Sequence, residues 1–457
     1  MGVQSITDIV SKQRCFFDSE ITKDISFRFK QLQTLKQLII EHENAINQAL
    51  VADLKKPLVE TYTSEIAIII KEINNALHNL KKWSQPKVKA VSWQLLPAFG
   101  QIYPEPLGVV LIIGAWNYPV QLNILPLVGA IASGNCAIIK PSEFAPHTSH
   151  LLAELISKFF PSEYIAVVEG DVETNKLLLQ EKFDYIFFTG SSAIGKIIMA
   201  EAAKHLTPMT LELGGKSPCI VDCDINLEVA ARRITWGKFF NAGQSCLSPD
   251  YLLVHRNIKR DLLESIAKCI RQFYGENPAE SPDYARIINQ NQFHRLVQFL
   301  KGEILIGGES NLEDCYIAPT IINNVAWDDA VMQSEIFGPI LPVIEYTDID
   351  EVITQLKSQP KPLALYLFSH NQSLHKRILR ETSSGGVCIN DTMKQIAAPS
   401  LPFGGVGNSG FGCYHEKASF DTFSHYKSVL NRPSFFDLNL LYAPYAGKLA
   451  WLKRLLG

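Results

Sequence analysis

A regular alternation of short, wholly apolar runs with helix-like stretches narrows the fold more than any other feature of this chain. Val109-Val110-Leu111-Ile112-Ile113 carries no polar residue, and a helix-like stretch follows to Ser133. Ala137-Ile138-Ile139, Ala166-Val167-Val168 and Tyr185-Ile186-Phe187-Phe188 repeat the pattern, with a helical face of Leu151, Leu152, Leu155, Ile156 and Phe159 between them. A strand that is apolar at every position must be covered on both faces, as in a parallel sheet between helix layers. The expected fold class is therefore α/β. The rhythm resumes with Cys219-Ile220-Val221 after Gly214-Gly215, which predicts a second α/β unit running to about residue 412. Residues 22–82 read as helical, with Phe29, Leu32, Leu35, Ile39, Ile46 and Leu50 recurring at helical spacing. Between Trp83 and Tyr103 two prolines, Pro86 and Pro97, break that pattern, and Lys87 to Val91 alternates. This predicts a two-stranded arm.

At 457 residues, the chain has room for about three units of roughly 150 residues. A net charge of −3 gives no basic field, so nucleic acid is not expected as a partner. Nine scattered cysteines include no CxxC pair. That argues against a disulfide framework and a zinc ribbon, leaves no metal site, and points to a reducing, cytoplasmic setting. The start, MGVQSITDIVSKQRCFF, lacks a long apolar core, so no secretory signal is expected. Ile6 stands where a myristoylation motif wants Ser or Thr. No run of about 20 apolar residues predicts a transmembrane helix.

Four segments could carry chemistry, and each has a plain alternative. In Phe188-Thr189-Gly190-Ser191-Ser192-Ala193-Ile194-Gly195-Lys196 a strand ends, two glycines follow five apart, and a helix begins. Such a turn can seat a phosphate or be an ordinary strand-to-helix turn. Cys246, in Asn241-Ala242-Gly243-Gln244-Ser245-Cys246, can be a nucleophile or a packing residue. Cys219 and Cys223 read as packing residues of an apolar strand. Glu212 stands between leucines beside Gly214-Gly215; burial there would raise its pKa as a general base needs, whereas an edge position would leave it a surface Glu. Pro402 to Gly412 holds five glycines in nine residues and either lines a site or bends the chain.

Taken together and in order, these segments resemble the aldehyde dehydrogenase superfamily. The matching elements are Pro106-Leu107-Gly108 through Trp116-Asn117-Tyr118-Pro119, Lys140-Pro141-Ser142-Glu143, Phe188-Thr189-Gly190 through Gly195, Glu212-Leu213-Gly214-Gly215-Lys216, Gly243-Gln244-Ser245-Cys246, Glu335-Ile336-Phe337-Gly338-Pro339 and Pro402-Phe403-Gly404-Gly405. Pro249-Asp250-Tyr251 and Ser419-Phe420-Asp421-Thr422-Phe423-Ser424-His425 are similar to the class 3 branch, which includes the fatty aldehyde enzymes. Ser245-Cys246-Leu247-Ser248 departs from relatives with Thr before the Cys and Ala before the Pro.

The resemblance implies NAD(P)-dependent oxidation of medium- or long-chain, or other apolar, aldehydes to acids. Cys246 would be the nucleophile, the Asn117 amide and Cys246 N–H the oxyanion donors, and Glu212 the base for thioester hydrolysis. It also implies cofactor contacts from Trp116, Lys140, Glu143, Gly190, Ser191, Gly195, Glu335 and Phe337. Lys140 and Glu143 would meet the adenosine ribose, although by themselves they read as a solvated Lys and a helix N-terminal acid. Glu143 beside that ribose favours NAD, with NADP also compatible. A Rossmann-like nucleotide domain is expected over 1–82 and 104–212 and a catalytic domain over 213–412. An oligomerisation element is expected over 83–103 and 413–433, in a homodimer. A coenzyme A-acylating dehydrogenase and a non-redox thiol esterase are the competing activities; retention of Glu212 argues against the first and the cofactor motifs against the second. A non-enzymatic relative should have lost Cys246 or Glu212.

Residues 434–457 form a tail. Phe435, Phe436, Leu438, Leu440, Leu441 and Tyr442 cluster, and Leu449, Trp451, Leu452, Leu455 and Leu456 lie among Lys448, Lys453 and Arg454. This composition suits a short interfacial helix and peripheral membrane contact, with packing on a partner subunit or over the substrate funnel as the alternative.

Overall fold

The computed structural model describes residues 3–398, 400–435, 437 and 439–456, without the side chains of residues 3, 4, 455 and 456. Of the features read in the sequence, the Met-Gly start, Phe436, Leu438 and the side chains of Leu455 and Leu456 lie outside the described residues.

The expected strands form and assemble into two largely parallel sheets. The first runs in the order Gly410–Phe411, Met209–Glu212, Tyr185–Thr189, Val109–Ile113, Cys136–Lys140, Ile165–Val167. Five of these are parallel, and Gly410–Phe411 is antiparallel at one edge. The chain starts at Val109–Ile113, builds outward to Ile165–Val167, then crosses to Tyr185–Thr189 on the other side. That reversal opens a crevice at the carboxyl ends of Val109–Ile113 and Tyr185–Thr189, where α/β sheets bind nucleotides. Trp116-Asn117 and Gly190-Ser191 follow those two strand ends.

The second sheet runs Glu303–Ile306, Thr320–Asn323, Ile340–Tyr346, Tyr251–His255, Pro218–Val221, Ala364–Phe368, Gly386–Ile389, with only Glu303–Ile306 antiparallel. Helices cover both sheets. Gln121–Ser133 is buried at every position, which explains why its sequence shows no polar face. In Pro146–Phe159, Leu152, Leu155 and Ile156 are buried, while Leu151 and Phe159 are only partly so.

The arm has one strand more than its local sequence shows. Lys87–Lys89 pairs antiparallel with Phe99–Pro106, which also pairs with Ser424–Asn431 along its whole length. The 413–433 segment therefore divides. Its last strand joins the arm, whereas Tyr414, Phe420 and Phe423 are buried beside the first sheet, with Tyr414 edge-on to Phe187 at 5.0 Å. Two further features differ from expectation. Val3–Asp18 is helical, earlier than the helical reading begins. Cys223 lies beyond the strand that ends at Val221 and is exposed, so it is not a packing residue. All nine cysteines are free.

Candidate active site

Cys246 is aimed by a strained turn. After the helix Leu227–Phe239, Asn241 (φ 52°), Ala242 (φ 51°) and Gly243 (φ 71°) are all left-handed. Strain in such non-glycine residues costs roughly 1–3 kcal/mol each and persists only where surroundings enforce it. Here a buried Glu60 carboxylate accepts from Asn241 N at 2.9 Å. The Gln244 amide donates to Asn241 O at 3.1 Å and Arg286 O at 2.8 Å, and accepts from Ile288 N at 3.0 Å. Gly243 is required, because a Cβ would sit 2.3 Å from Gly338 O.

Glu212 ends its strand, in register with Thr189 on one side and Gly410 on the other. The glycine-rich loop thus closes over the strand end, and Ser409 O accepts from Leu213 N at 3.1 Å. Glu212 is 3% exposed, which excludes an edge position, and neither carboxyl oxygen has a partner among the described residues. Burial holds this carboxyl well above the usual carboxylate range. Burial also pushes the Cys246 thiol up, with the Glu335 and Glu212 carboxylates adding to it, while the Cys246 and Leu247 N–H groups favour the thiolate.

Asn117 is buried and fixed from several sides. Its carbonyl accepts from Lys56 Nζ at 3.1 Å and Asn241 Nδ2 at 3.0 Å. Its amide donates to Gln244 O at 3.2 Å, which leaves one of the two amide hydrogens for another acceptor. Lys56 pairs with Glu65 at 2.5 Å, both fully buried. The other Glu65 oxygen accepts from Val120 N (3.0 Å) and Gln121 N (2.9 Å) at the start of Gln121–Ser133.

Two cavities meet at this point. One is lined by Trp116, Gly190, Ser191, Arg295, Glu335 and Phe337. The other is more apolar, with Tyr118, Leu122, Trp236, Phe240, Phe403 and Tyr414 on its wall. Asn117, Thr189, Glu212 and Cys246 line both.

The first cavity suits the nicotinamide and pyrophosphate part of a dinucleotide. A Cβ on Gly190 would lie 2.4 Å from the Phe188 ring, so only glycine fits at this strand end. Ser191 caps Ser192–Ala203 with a single contact, to Ile194 N at 3.4 Å, leaving first-turn N–H groups for phosphate. Glu335 is half-buried, accepts from the Gly215 N–H, and is pushed up to about 8 by desolvation and then Asp250. A Cβ on Gly214 would lie 1.9 Å from the Glu335 carboxylate. The Phe337 ring stands edge-on to Trp116 at 5.3 Å. Among the described residues no group of three His, Cys, Asp or Glu could hold a metal ion.

Three expected contacts lie outside this cavity. Gly195 is absent from the cavity wall; a Cβ there would meet Leu213 at 2.8 Å, so it serves close packing. Glu143 lines a separate open cleft with Glu169, Asp171 and Glu173. Lys140 is 1% exposed, not a solvated Lys, and its ammonium donates to Pro141 O at 2.7 Å and Glu143 at 3.3 Å. Glu60, Lys56, Glu65 and Arg295 went unread in the sequence, and Gln244 was read only as part of a motif. The signal that could have found Glu60 and Glu65 is a pair of acids within the apolar stretch from Pro57 to Ile70.

Residues 8–429 match the model of the aldehyde dehydrogenase family. A 4,4'-diaponeurosporen-aldehyde dehydrogenase of Staphylococcus aureus is 47% identical over 96% of both chains. Aldehyde dehydrogenase family 3 member A2 of Pongo abelii is 48% identical over 92% of this chain and 87% of that protein. The mouse aldehyde dehydrogenase named dimeric NADP-preferring is 46% identical over 94% and 95%. The structure of the substrate-bound state of Staphylococcus aureus AldH superposes with a TM-score of 0.97 at 46% identity, covering 99% of both chains. An NAD-dependent aldehyde dehydrogenase of Sinorhizobium meliloti gives 0.86 at 27% identity, over 95% of this chain and 89% of that one. With the cavities arranged as they are, the match over nearly the whole length places this chain in the aldehyde dehydrogenase family, whose members oxidise aldehydes with NAD(P).

Proposed function

We propose that Cys246 is the nucleophile, that Asn117 and the Cys246 N–H hold the oxyanion, and that Glu212 is the hydrolytic base. The observation that carries this reading is the meeting of an apolar cavity and a second cavity, walled by Gly190, Ser191, Glu335 and Phe337, at Cys246 and Glu212. An aldehyde in the apolar cavity is attacked by Sγ, and the new C–S bond places negative charge on the former carbonyl oxygen. The free Asn117 amide hydrogen and the Cys246 N–H stabilise that charge. A nicotinamide bound in the other cavity supplies the hydride acceptor. Glu212, with no hydrogen-bond partner among the described residues, takes a proton from the water that cleaves the resulting thioester, giving the acid. Gly190, Ser191 and the first turn of Ser192–Ala203 would hold the pyrophosphate, Glu335 the nicotinamide ribose, Phe337 and Trp116 the ring's surroundings, and Glu143 and Lys140 the adenosine ribose. Gly195 lets that helix pack close to Leu213.

The wall of Leu122, Trp236, Phe240 and Phe403 suits medium- or long-chain aldehydes. The arm exposes Val88, Trp93, Leu96, Phe99 and Leu430, a surface suited to a second copy of the chain. The tail helix Leu449–Leu456 exposes Leu449 and Trp451, and we extend the reading to peripheral membrane contact there. No helix among the described residues is long and apolar enough to cross a membrane. A series of straight-chain aldehydes of increasing length tests the substrate assignment. We expect kcat/KM to climb with length; a flat or falling series would remove it.

A further inference from the structure

Tyr366 is the one polar side chain of the apolar strand Ala364–Phe368, and it is fully buried. It stands behind the apolar cavity, yet its hydroxyl joins two segments that line that cavity. The hydroxyl donates to Leu247 O at 2.5 Å, in the residue after Cys246. It accepts from the Gln395 amide at 3.3 Å and stands beside the Met393 N–H. Its one donor and two acceptor positions are thus all used. The register partner of Tyr366 on the next strand is Cys388, so the two side chains share a face of the sheet. The Cys388 thiol stands beside the Lys394 and Gln395 N–H groups. Tyr366 and Cys388 therefore hold the start of the turn over 393–397, where Met393 is left-handed at φ 58°. The far end is held separately, by Lys71 Nζ donating to Ala397 O at 2.9 Å. Met393, Lys394, Ile396 and Ala397 form one part of the cavity wall, and Cys246 and Leu247 form another. The Leu247 N–H is one of the two that favour the Cys246 thiolate.

Resting on the reading of Cys246 as nucleophile and of the apolar cavity as the seat of the aldehyde's chain, we infer that the Tyr366 hydroxyl is a positioning group that fixes both the loop of the nucleophile and the wall against which the chain packs. One hydroxyl sets where the chain lies and how Leu247, and with it the thiol, is presented. A chain that fills the cavity thus brings its carbonyl to a sulfur that is already aimed. Removing the hydroxyl separates the two effects. Short aldehydes reach Cys246 without the turn and lose only the support of the nucleophile, whereas long ones lose both.

The test uses the full chain and Tyr366→Phe, which keeps the ring and removes the hydroxyl. Inactivation by iodoacetamide, with the alkylated peptide identified by mass spectrometry, reads Cys246 without aldehyde or cofactor. We expect its rate to fall about fivefold in Tyr366→Phe, the net worth of one neutral hydrogen bond, with NAD Kd unchanged. The NADH burst at saturating aldehyde reads acylation apart from binding. The ratio of decanal to propanal burst rates should narrow by about threefold, as loss of the longer bond to the turn implies. Gln395→Met cuts only the link to the wall, so it should narrow that ratio and leave the iodoacetamide rate as it is; it also decides the wall half should Tyr366→Phe not fold. An unchanged iodoacetamide rate together with an unchanged ratio in Tyr366→Phe overturns the inference. So does a loss of NAD affinity equal to the loss of burst rate, which would mark general damage. An unchanged ratio in Gln395→Met overturns the wall half. A wild type whose burst rate is indifferent to chain length removes the reading of the cavity and the wall half with it, and the iodoacetamide rate still decides the nucleophile half.

Discussion

At the scale of single residues, the chemistry separates into steps that individual substitutions isolate. Cys246→Ala should reduce turnover to background while NAD still binds, since Glu335, Phe337 and Gly190 are untouched; steady-state assay and NAD titration check the two halves. Glu212→Gln should leave a burst of NADH followed by a slow phase, because acylation survives and thioester hydrolysis does not. Burial raises the Glu212 carboxyl, so hydrolysis in the wild type should speed up as pH rises, and this ascending limb should vanish in Glu212→Gln. Glu60 lies behind the strained turn, raised to about 8 by burial. A carboxyl whose pKa is higher folded than unfolded stabilises fully below about 4.5 and loses that contribution as pH climbs towards 8, at about 1.4 kcal/mol per pH unit. Glu60→Gln should flatten the decline of Tm between pH 5 and 8, as read by calorimetry. Cys246 and Glu212 were legible as candidates because motif order singled them out. The burial of Glu212 was not legible, because Gly410, which covers it, is about 200 residues away in sequence.

At the scale of elements, local pattern sufficed wherever pairing did not matter. The apolar runs at Val109, Cys136 and Tyr185 became strands because an all-apolar segment of that length has few alternatives. The resemblance joined 413–433 to the arm, but its strand went unread, since Ser424–Asn431 alternates weakly and finds its partner more than 300 residues upstream. The Lys56–Glu65 pair was invisible for the same reason: its worth lies in the helix start and the Asn117 carbonyl it fixes. Lys56→Ala should cost about 3–5 kcal/mol by leaving Glu65 buried without its ammonium. It should also lower kcat more than it weakens NAD binding. Thermal unfolding and a split of kcat from cofactor Kd check this; equal loss in both would point to general damage.

At the scale of the whole molecule, the exposed apolar groups concentrate at the arm and the tail. A chain that associates through the arm should sediment as a dimer, and charging Val88 and Leu430 together should release monomers. Deleting residues 434–457 separates two roles for the tail: vesicle co-sedimentation reads membrane contact, and kcat/KM for long aldehydes reads the funnel. Unchanged values in both would assign the tail neither role.

The return of Gly410–Phe411 to the strand that ends at Glu212 also sets an order of assembly on the ribosome. The first sheet's five parallel strands, the nucleotide crevice and Cys246 are all synthesised before the chain reaches Gly410. At about 5–20 residues per second, the intervening stretch of about 200 residues takes about 10–40 s to emerge. Throughout that interval the strand that ends at Glu212 lacks its edge partner, and the burial that raises the Glu212 carboxyl is completed only when the late glycine loop docks. A chain that stops before Gly410 should therefore carry its thiol and its nucleotide crevice without turning over, which an activity assay of chains truncated before that residue checks.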